Sequence, residues 1–151
     1  MDDPEPMLSH VFVLGLNTYE TEYEVIGKVG DIAPGESVWS ARFIGDKAYI
    51  VTFRNIDPLW TIDLSEPTNP RIIGELKIPG VSTYIHPVGD KHLLTIGIAG
   101  DNDGLDWGVT QISFFDVSDF SNPILESELR LNPAPKGENG WSYSHSEATY
   151  E

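Results

Sequence analysis

The sequence contains no cysteine, few positive charges and no long apolar run. Without cysteine the chain has no disulfide bond, no thiolate metal site and no cysteine nucleophile. Lysine and arginine number 9 against 24 aspartate and glutamate residues, for a formal net charge of -15. Because nucleic acid and anionic membrane surfaces bind clustered positive charge, this balance argues against both as partners. The longest apolar runs have the length of a strand, so no membrane-inserted helix is predicted.

The chain has enough apolar residues for a folded core. Hydrophobic residues make up 40% of the 151 positions and aromatic residues 11%, which fits one globular domain. Residues 1–6 are acidic and do not resemble a signal peptide. The missing cysteines do not fix the compartment, so location is left open by composition alone.

Residues 36–79 contain four short runs in which apolar and polar residues alternate. Period-two alternation with β-branched and aromatic residues predicts β-strands. The pair Gly45-Asp46 between the first two runs is typical of a hairpin, and Pro67 and Pro70 indicate a turn between the last two. We therefore predict a four-stranded antiparallel meander, whose second strand is apolar on both faces and so buried between neighbouring sheets. The four runs are residues 36–46, 47–54, 58–65 and 71–78.

This pattern recurs along the chain. Gly89-Asp90-Lys91 repeats Gly45-Asp46-Lys47 about 44 residues later, and the run Asp116–Pro123 repeats Asp63–Pro70 about 53 residues later. In the second complete unit, residues 91–98 are the predicted second strand. The larger second spacing predicts an insertion after it, for which residues 100–108 are the candidate. Repeats of this length with four strands each are typical of β-propeller blades.

The predicted fold is all-β, a partial β-propeller of about two and three-quarter four-stranded antiparallel blades. Four blades, about the smallest ring, need roughly 170 residues, so we expect a fragment of a longer protein. The alternative is that copies associate through open blade edges. The predicted units are a flexible leader (1–9), the outer half of a blade (10–34), a complete blade (35–79), a complete blade with the insertion (80–132), and a loop with the first strand of a further blade (133–151).

Several segments resemble one known family. The run Ala48–Ser65 carries most of the similarity, and Gly74–Gly80, Phe114–Asp119 and Tyr143–Tyr150 add to it. These segments resemble bacterial and archaeal secreted proteins with a C-terminal β-propeller domain distantly related to WD40 repeats. The resemblance implies a propeller fold and a secreted or cell-envelope exterior location. It implies no established activity and no catalytic residues.

The insertion contains the clearest candidate for a metal site. Asp101, Asp103 and Asp106 surround a glycine bend, and carboxylates at such spacing can wrap a hard cation such as calcium. The segment is not an EF-hand loop, because the twelfth position from Asp101 is Ile112 rather than glutamate. The alternative is an acidic, solvated hairpin loop. The prediction is therefore no cofactor, with calcium at this segment as the alternative.

Three side chains are candidates for contact with a ligand or partner. Trp107 and Trp141 are placed by the pattern in loops, where an indole can stack on a sugar or a protein partner. His86 precedes Pro87 near the end of a presumed inner strand, where propellers line their channel; the alternative is a strand-end histidine with satisfied hydrogen bonds. Trp39 and Trp60 lie on predicted strands and are expected in the core.

No catalytic constellation is recognisable. A Gly-x-Ser-x-Gly motif and a glycine-rich phosphate loop are both absent, and the repeated Asp63 and Asp116 are expected to cap backbone N–H groups. The predicted function is a non-enzymatic binding or scaffold module of an exported protein, contacting protein or glycan through its blade loops. The alternative is a cation-dependent hydrolase or lyase with its site at the centre of the complete propeller.

Overall fold

The computed structural model describes residues 6–17, 19, 21–53, 57–101 and 104–131. Within these ranges the chain forms ten β-strands, and no helix there is long and apolar enough to cross a membrane. The further strand predicted within residues 133–151 lies outside the described residues. The strands are β1 (Ser9–Asn17), β2 (Glu22–Ile32), β3 (Ser37–Ile44), β4 (Lys47–Phe53), β5 (Asp57–Asp63), β6 (Arg71–Ile78), β7 (Val81–Val88), β8 (His92–Asp101), β9 (Gly104–Asp116) and β10 (Ile124–Leu131).

The strands form three antiparallel meanders. A half sheet contains β1 and β2, a middle sheet contains β3 to β6, and a last sheet contains β7 to β10, each in chain order. Gly45 and Gly89 adopt left-handed φ angles of 58° and 62° in the first turns of the two complete sheets. The predicted all-β class with four-stranded antiparallel units is confirmed.

One irregularity recurs in the last strand of every sheet. Ile26, Ile73 and Glu126 have no partner in the register of the adjacent strand, so each is the extra residue of a β-bulge. A bulge bends its strand and redirects the side chain of the extra residue. These three positions are therefore structurally equivalent, and they fix the correspondence between the three sheets.

In the half sheet and the middle sheet, the residue after the bulge lies where the following sheet makes contact. A Cβ atom at Gly27 would overlap the carbonyl oxygen of Pro67, and one at Gly74 would stand 2.8 Å from the carbonyl oxygen of Ser121. Thr61, opposite Gly74, donates a hydrogen bond of 2.7 Å to the carbonyl of Phe120. The half sheet and the middle sheet thus each contact the outer turn of the next sheet at the equivalent residue.

Burial follows this stacking. One apolar cluster joins the middle and last sheets, with Tyr49 and Leu59 on one side and Leu93 and Phe115 on the other. A second cluster joins the half sheet to the opposite face of the middle sheet. All five residues from Ala48 to Thr52 are buried, which confirms that the second strand of the middle unit is covered on both faces.

The inserted segment differs from its prediction. Residues 100–108 were expected as a loop after a strand ending at Ile98, but β8 continues to Asp101 and β9 begins at Gly104. Gly100 pairs with Leu105, because residues inserted into a hairpin can satisfy their backbone groups by lengthening the ladder. The placement of Trp107 in a loop is therefore wrong, since it lies within β9.

The turn before β8 is one residue longer than its counterpart. Ile44 pairs with Lys47 across a two-residue turn, whereas Val88 pairs with His92 across three residues. Lys91, predicted to begin the strand, lies in the turn, and its carbonyl accepts the N–H of Val117. His92 consequently occupies the position that Lys47 holds in the middle sheet.

The repeated aspartates cap their turns as predicted. The Oδ1 atom of Asp63 accepts the N–H of Ser65 at 2.9 Å, and that of Asp116 accepts the N–H of Ser118 at 2.7 Å. Hydrogen bonds from these serines lower the pKa of both carboxyls, and Asp63 gains a smaller contribution from Arg71. The ionised form of each carboxyl is therefore more stable in the folded chain than in the unfolded one.

The caps predict a stability that falls in acid. A carboxyl whose pKa is lower in the folded state adds stability above its unfolded pKa, and that stability is lost as pH falls through the folded value. We expect the melting temperature to decline below about pH 4. In melts from pH 2.5 to 6, Asp63→Asn with Asp116→Asn should flatten this decline, because asparagine keeps an acceptor without the charge. An unchanged slope in the double variant would rule these caps out as its source.

Candidate binding surface and metal cluster

The connections of the two complete sheets fall at opposite ends of the strands. The first and third turns of each meander, including those at Gly45 and Gly89, lie at what we call the turn end. The remaining connections, including the lengthened β8–β9 hairpin, lie at what we call the hairpin end. A groove between the middle and last sheets opens at the turn end and is lined by Asp46, Lys47, Asp90 and His92, among others.

Three aromatic side chains form a continuous ridge at the hairpin end. Trp39 is the extra residue of a bulge in β3, and Trp107 lies in a wider bulge where β9 loses register with β8. The ring centroids of Trp39 lie 6.1 Å from Trp107 and 5.8 Å from Phe53. We name Trp39, Phe53 and Trp107 the aromatic ridge; it spans both complete sheets.

The lengthened hairpin is held against the rest of the last sheet. Arg130 of β10 donates to the carbonyl of Gly100 at 3.2 Å, and Gln111 of β9 donates to the carbonyl of Pro79 at 3.1 Å. These contacts anchor both strands of the hairpin, β8 and β9. Trp107 lies on β9 and is 42% exposed. The exposed indole therefore projects from a supported hairpin.

The predicted calcium ligands lie beside the ridge. Asp101 and Asp106 are both exposed and sit on opposite strands of the hairpin, lining a shallow cavity with Trp107. Asp106 accepts the N–H of Gly108 at 3.2 Å. Asp103 lies outside the described residues. Among those that are described, Asp101 and Asp106 belong to no group of three clustered ligand side chains, and calcium binding stays a prediction.

The other predicted contact residues are not brought to the ridge. His86 is exposed on β7 toward the turn end, where its ring stacks on Tyr84 and its Nδ1 atom lies 3.1 Å from the Tyr84 hydroxyl. Trp141 lies outside the described residues. Trp39 and Trp60, both expected in the core, are partly buried and pack against the two apolar clusters. The indole N–H of Trp60 donates to Thr52 at 3.0 Å.

Sequence reasoning missed one cluster of metal-ligating side chains. His92, Asp116 and Glu126 each offer a ligand atom, and these atoms lie within 4.8 Å of one another at the turn end of the last sheet. The Nε2 atom of His92 is 3.8 Å from Glu126. Aligning the outer strands of the repeats was the available signal, because glutamate replaces the isoleucine found at positions 26 and 73.

The stacked antiparallel meanders, with equivalent bulges and equivalent contacts between sheets, define a protein of the β-propeller class. The model of the beta propeller domain family matches residues 3–151. The chain therefore belongs to the beta propeller domain family.

Two similar proteins come from archaea, and both are uncharacterised. One, from Methanocaldococcus jannaschii, is 43% identical over 128 residues, covering 85% of this chain and 19% of the relative. The other, from Archaeoglobus fulgidus, is 33% identical over 152 aligned residues, covering 86% of this chain and 23% of the relative. The chain spans about a fifth of the length of these curated relatives.

Proposed function

We propose that this chain is a non-enzymatic binding or scaffold module of an exported protein, and that it contacts a protein or glycan partner through the aromatic ridge. The observation that carries the proposal is Trp107, a large aromatic side chain 42% exposed on an anchored hairpin. Aromatic residues are enriched where proteins bind partners, because they bury much area while losing few rotamers.

The surroundings of Trp107 favour a glycan over a protein as the partner. A sugar ring presents an apolar C–H face that can stack on an indole, and hydroxyl groups that can donate to carboxylates. Asp101 and Asp106 supply exposed carboxylates next to the indole of Trp107. Trp39 and Phe53, which are partly buried against the core, extend the aromatic surface beside Trp107.

The alternative function stays a separate proposal. A cation-dependent hydrolase or lyase needs a site at the centre of the complete ring, with groups supplied by blades beyond the described residues. The predicted cation ligands Asp101 and Asp106 lie instead on an exposed hairpin beside an aromatic surface. That arrangement is better suited to holding a ligand than to enclosing a reaction.

The binding proposal predicts the loss of glycan affinity in one variant. The full chain is screened on an array of neutral and acidic oligosaccharides, and the best ligand is titrated while tryptophan fluorescence is followed. Trp107→Ala should weaken binding about five- to tenfold, because stacking on an aromatic ring contributes about 1.0–1.4 kcal/mol.

The matched control is Tyr23→Ala, which removes an aromatic side chain that is 71% exposed on the half sheet. It should leave the affinity unchanged. Equal binding by the wild type and Trp107→Ala would refute the ridge as the contact surface. If no oligosaccharide bound, a glycan would be refuted as the partner of the aromatic ridge, and protein partners would be tested next.

A further inference from the structure

Three adjacent strands of the last sheet converge on one point at the turn end. His92 begins β8, Asp116 ends β9 directly opposite it, and Glu126 is the bulge residue of β10. The bulge is what brings Glu126 to this point, because it redirects the side chain out of the regular alternation. The imidazole of His92 stacks on Phe114, with ring centroids 5.1 Å apart and an angle of 12°, which restricts its orientation.

The equivalent point of the middle sheet has the opposite charge. There Lys47 replaces His92, and Asp63 forms an ion pair of 3.2 Å with Arg71. Asp63 is thus paired with one cation, and the ammonium of Lys47 lies over the Phe120 ring, 5.2 Å from its centroid. Nonpolar Ile73 fills the bulge.

In the last sheet both fixed cations of the middle sheet are replaced. Ile124 stands in place of Arg71 and Glu126 in place of Ile73. Two carboxylates face one imidazole there, with Lys91 in the adjacent turn.

We propose that His92, Asp116 and Glu126 form a binding site for a divalent transition metal, with zinc as the ion it fits best. Imidazole nitrogen and carboxylate oxygen are both ligands of zinc, and three protein ligands plus water make an open four-coordinate site. Calcium prefers an all-oxygen shell of six to eight ligands, which this set does not provide.

The observed spacing is compatible with closure on an ion. Ligand atoms bound to one zinc ion stand roughly 3.4 Å apart, given bonds of about 2.1 Å in a tetrahedron. His92 and Glu126 are already at 3.8 Å, and their side chains are 36% and 43% exposed, so small rotamer changes suffice. This inference is independent of the aromatic ridge, which lies at the other end of the sheets.

The test is calorimetric titration of the metal-free full chain with zinc chloride at pH 7.5. We expect one ion to bind per chain, and His92→Ala or Glu126→Ala to weaken binding at least tenfold. Cobalt(II) should give visible absorption bands in the wild type and lose them in both variants. Melting curves without metal establish that the variants are folded.

Two control variants remove similar side chains elsewhere on the last sheet. His86→Ala deletes another exposed histidine, and Glu128→Gln neutralises another carboxylate of β10; both should bind zinc as the wild type does. The proposal is overturned if the wild type binds no zinc, or if His92→Ala and Glu126→Ala bind it undiminished. It is also overturned if calcium binds the cluster more tightly than zinc.

Discussion

Replacing Gly74 with valine is expected to destabilise the chain by about 3 kcal/mol, at the upper end of the range for overpacked sites. A Cβ there would stand 2.5 Å from the Thr61 hydroxyl, 2.8 Å from the carbonyl oxygen of Ser121 and 3.0 Å from that of Phe120. Two of these neighbours are backbone atoms of the next sheet's turn, which cannot rotate away. Urea denaturation measured by circular dichroism gives the change in unfolding free energy.

The repeat supplies a matched control for this substitution. Ser127 follows the bulge of β10 as Gly74 follows that of β6, but it is exposed. Ser127→Val should therefore change the unfolding free energy by no more than about 0.5 kcal/mol. If the two substitutions had equal effects, the turn of the last sheet would not be packed on Gly74.

Truncating Phe115 to alanine is expected to destabilise the chain by about 3–5 kcal/mol, the usual range for a buried phenylalanine. Phe115 is fully buried, with 0% exposure, in the cluster shared by the middle and last sheets. Its loss leaves a cavity between the sheets as well as within one of them. Leu129→Ala, at a side chain 55% exposed on β10, is the control and should have little effect.

The shared cluster also predicts how the Phe115→Ala variant unfolds. Because both sheets bury side chains against Phe115, they should lose structure together in one transition. In a Trp107→Phe, Trp141→Phe background, the remaining tryptophans Trp39 and Trp60 both belong to the middle sheet, and their fluorescence should coincide with circular dichroism. A variant in which fluorescence kept the wild-type midpoint would mean that the sheets are independent.

The strands and turns could be predicted because they depend on local chemistry. Alternation along β5 and β6 marks strands, and the glycines at 45 and 89 favour the left-handed turns that the structure shows. The aspartate caps at Asp63 and Asp116 repeat in sequence and in hydrogen bonding. These features need no knowledge of which strand packs on which sheet.

The predictions that were wrong depend on the register between paired strands. Residues 100–108 contain turn-forming glycines and aspartates, yet Gly100 pairs with Leu105 and Asp101 with Gly104 because the hairpin ladder continues there. The turn before β8 has one extra residue, so His92 occupies the position equivalent to Lys47. An alignment of the two Gly-Asp-Lys motifs places Lys91 there instead. Neither outcome follows from a period-two pattern, because the pattern does not say which residues face each other.

The cluster of His92, Asp116 and Glu126 was missed for a related reason. The sequence pattern predicts Glu126 as an exposed strand residue. Its position beside β9 and the start of β8 depends on the bulge. The aromatic ridge likewise requires two bulges, at Trp39 and around Trp107, in different sheets. Sequence could supply the residue types of both sites but not their convergence.

The central claim is that successive sheets stack face to face, and one NMR measurement tests it directly. Tyr49 of the middle sheet and Phe120 of the last sheet's outer turn have ring centroids 5.4 Å apart. In a NOESY spectrum of the full chain with labelled tyrosine and phenylalanine, we expect a cross-peak between their ring protons. Its absence, with cross-strand peaks within each sheet present, would show that the sheets form but do not stack.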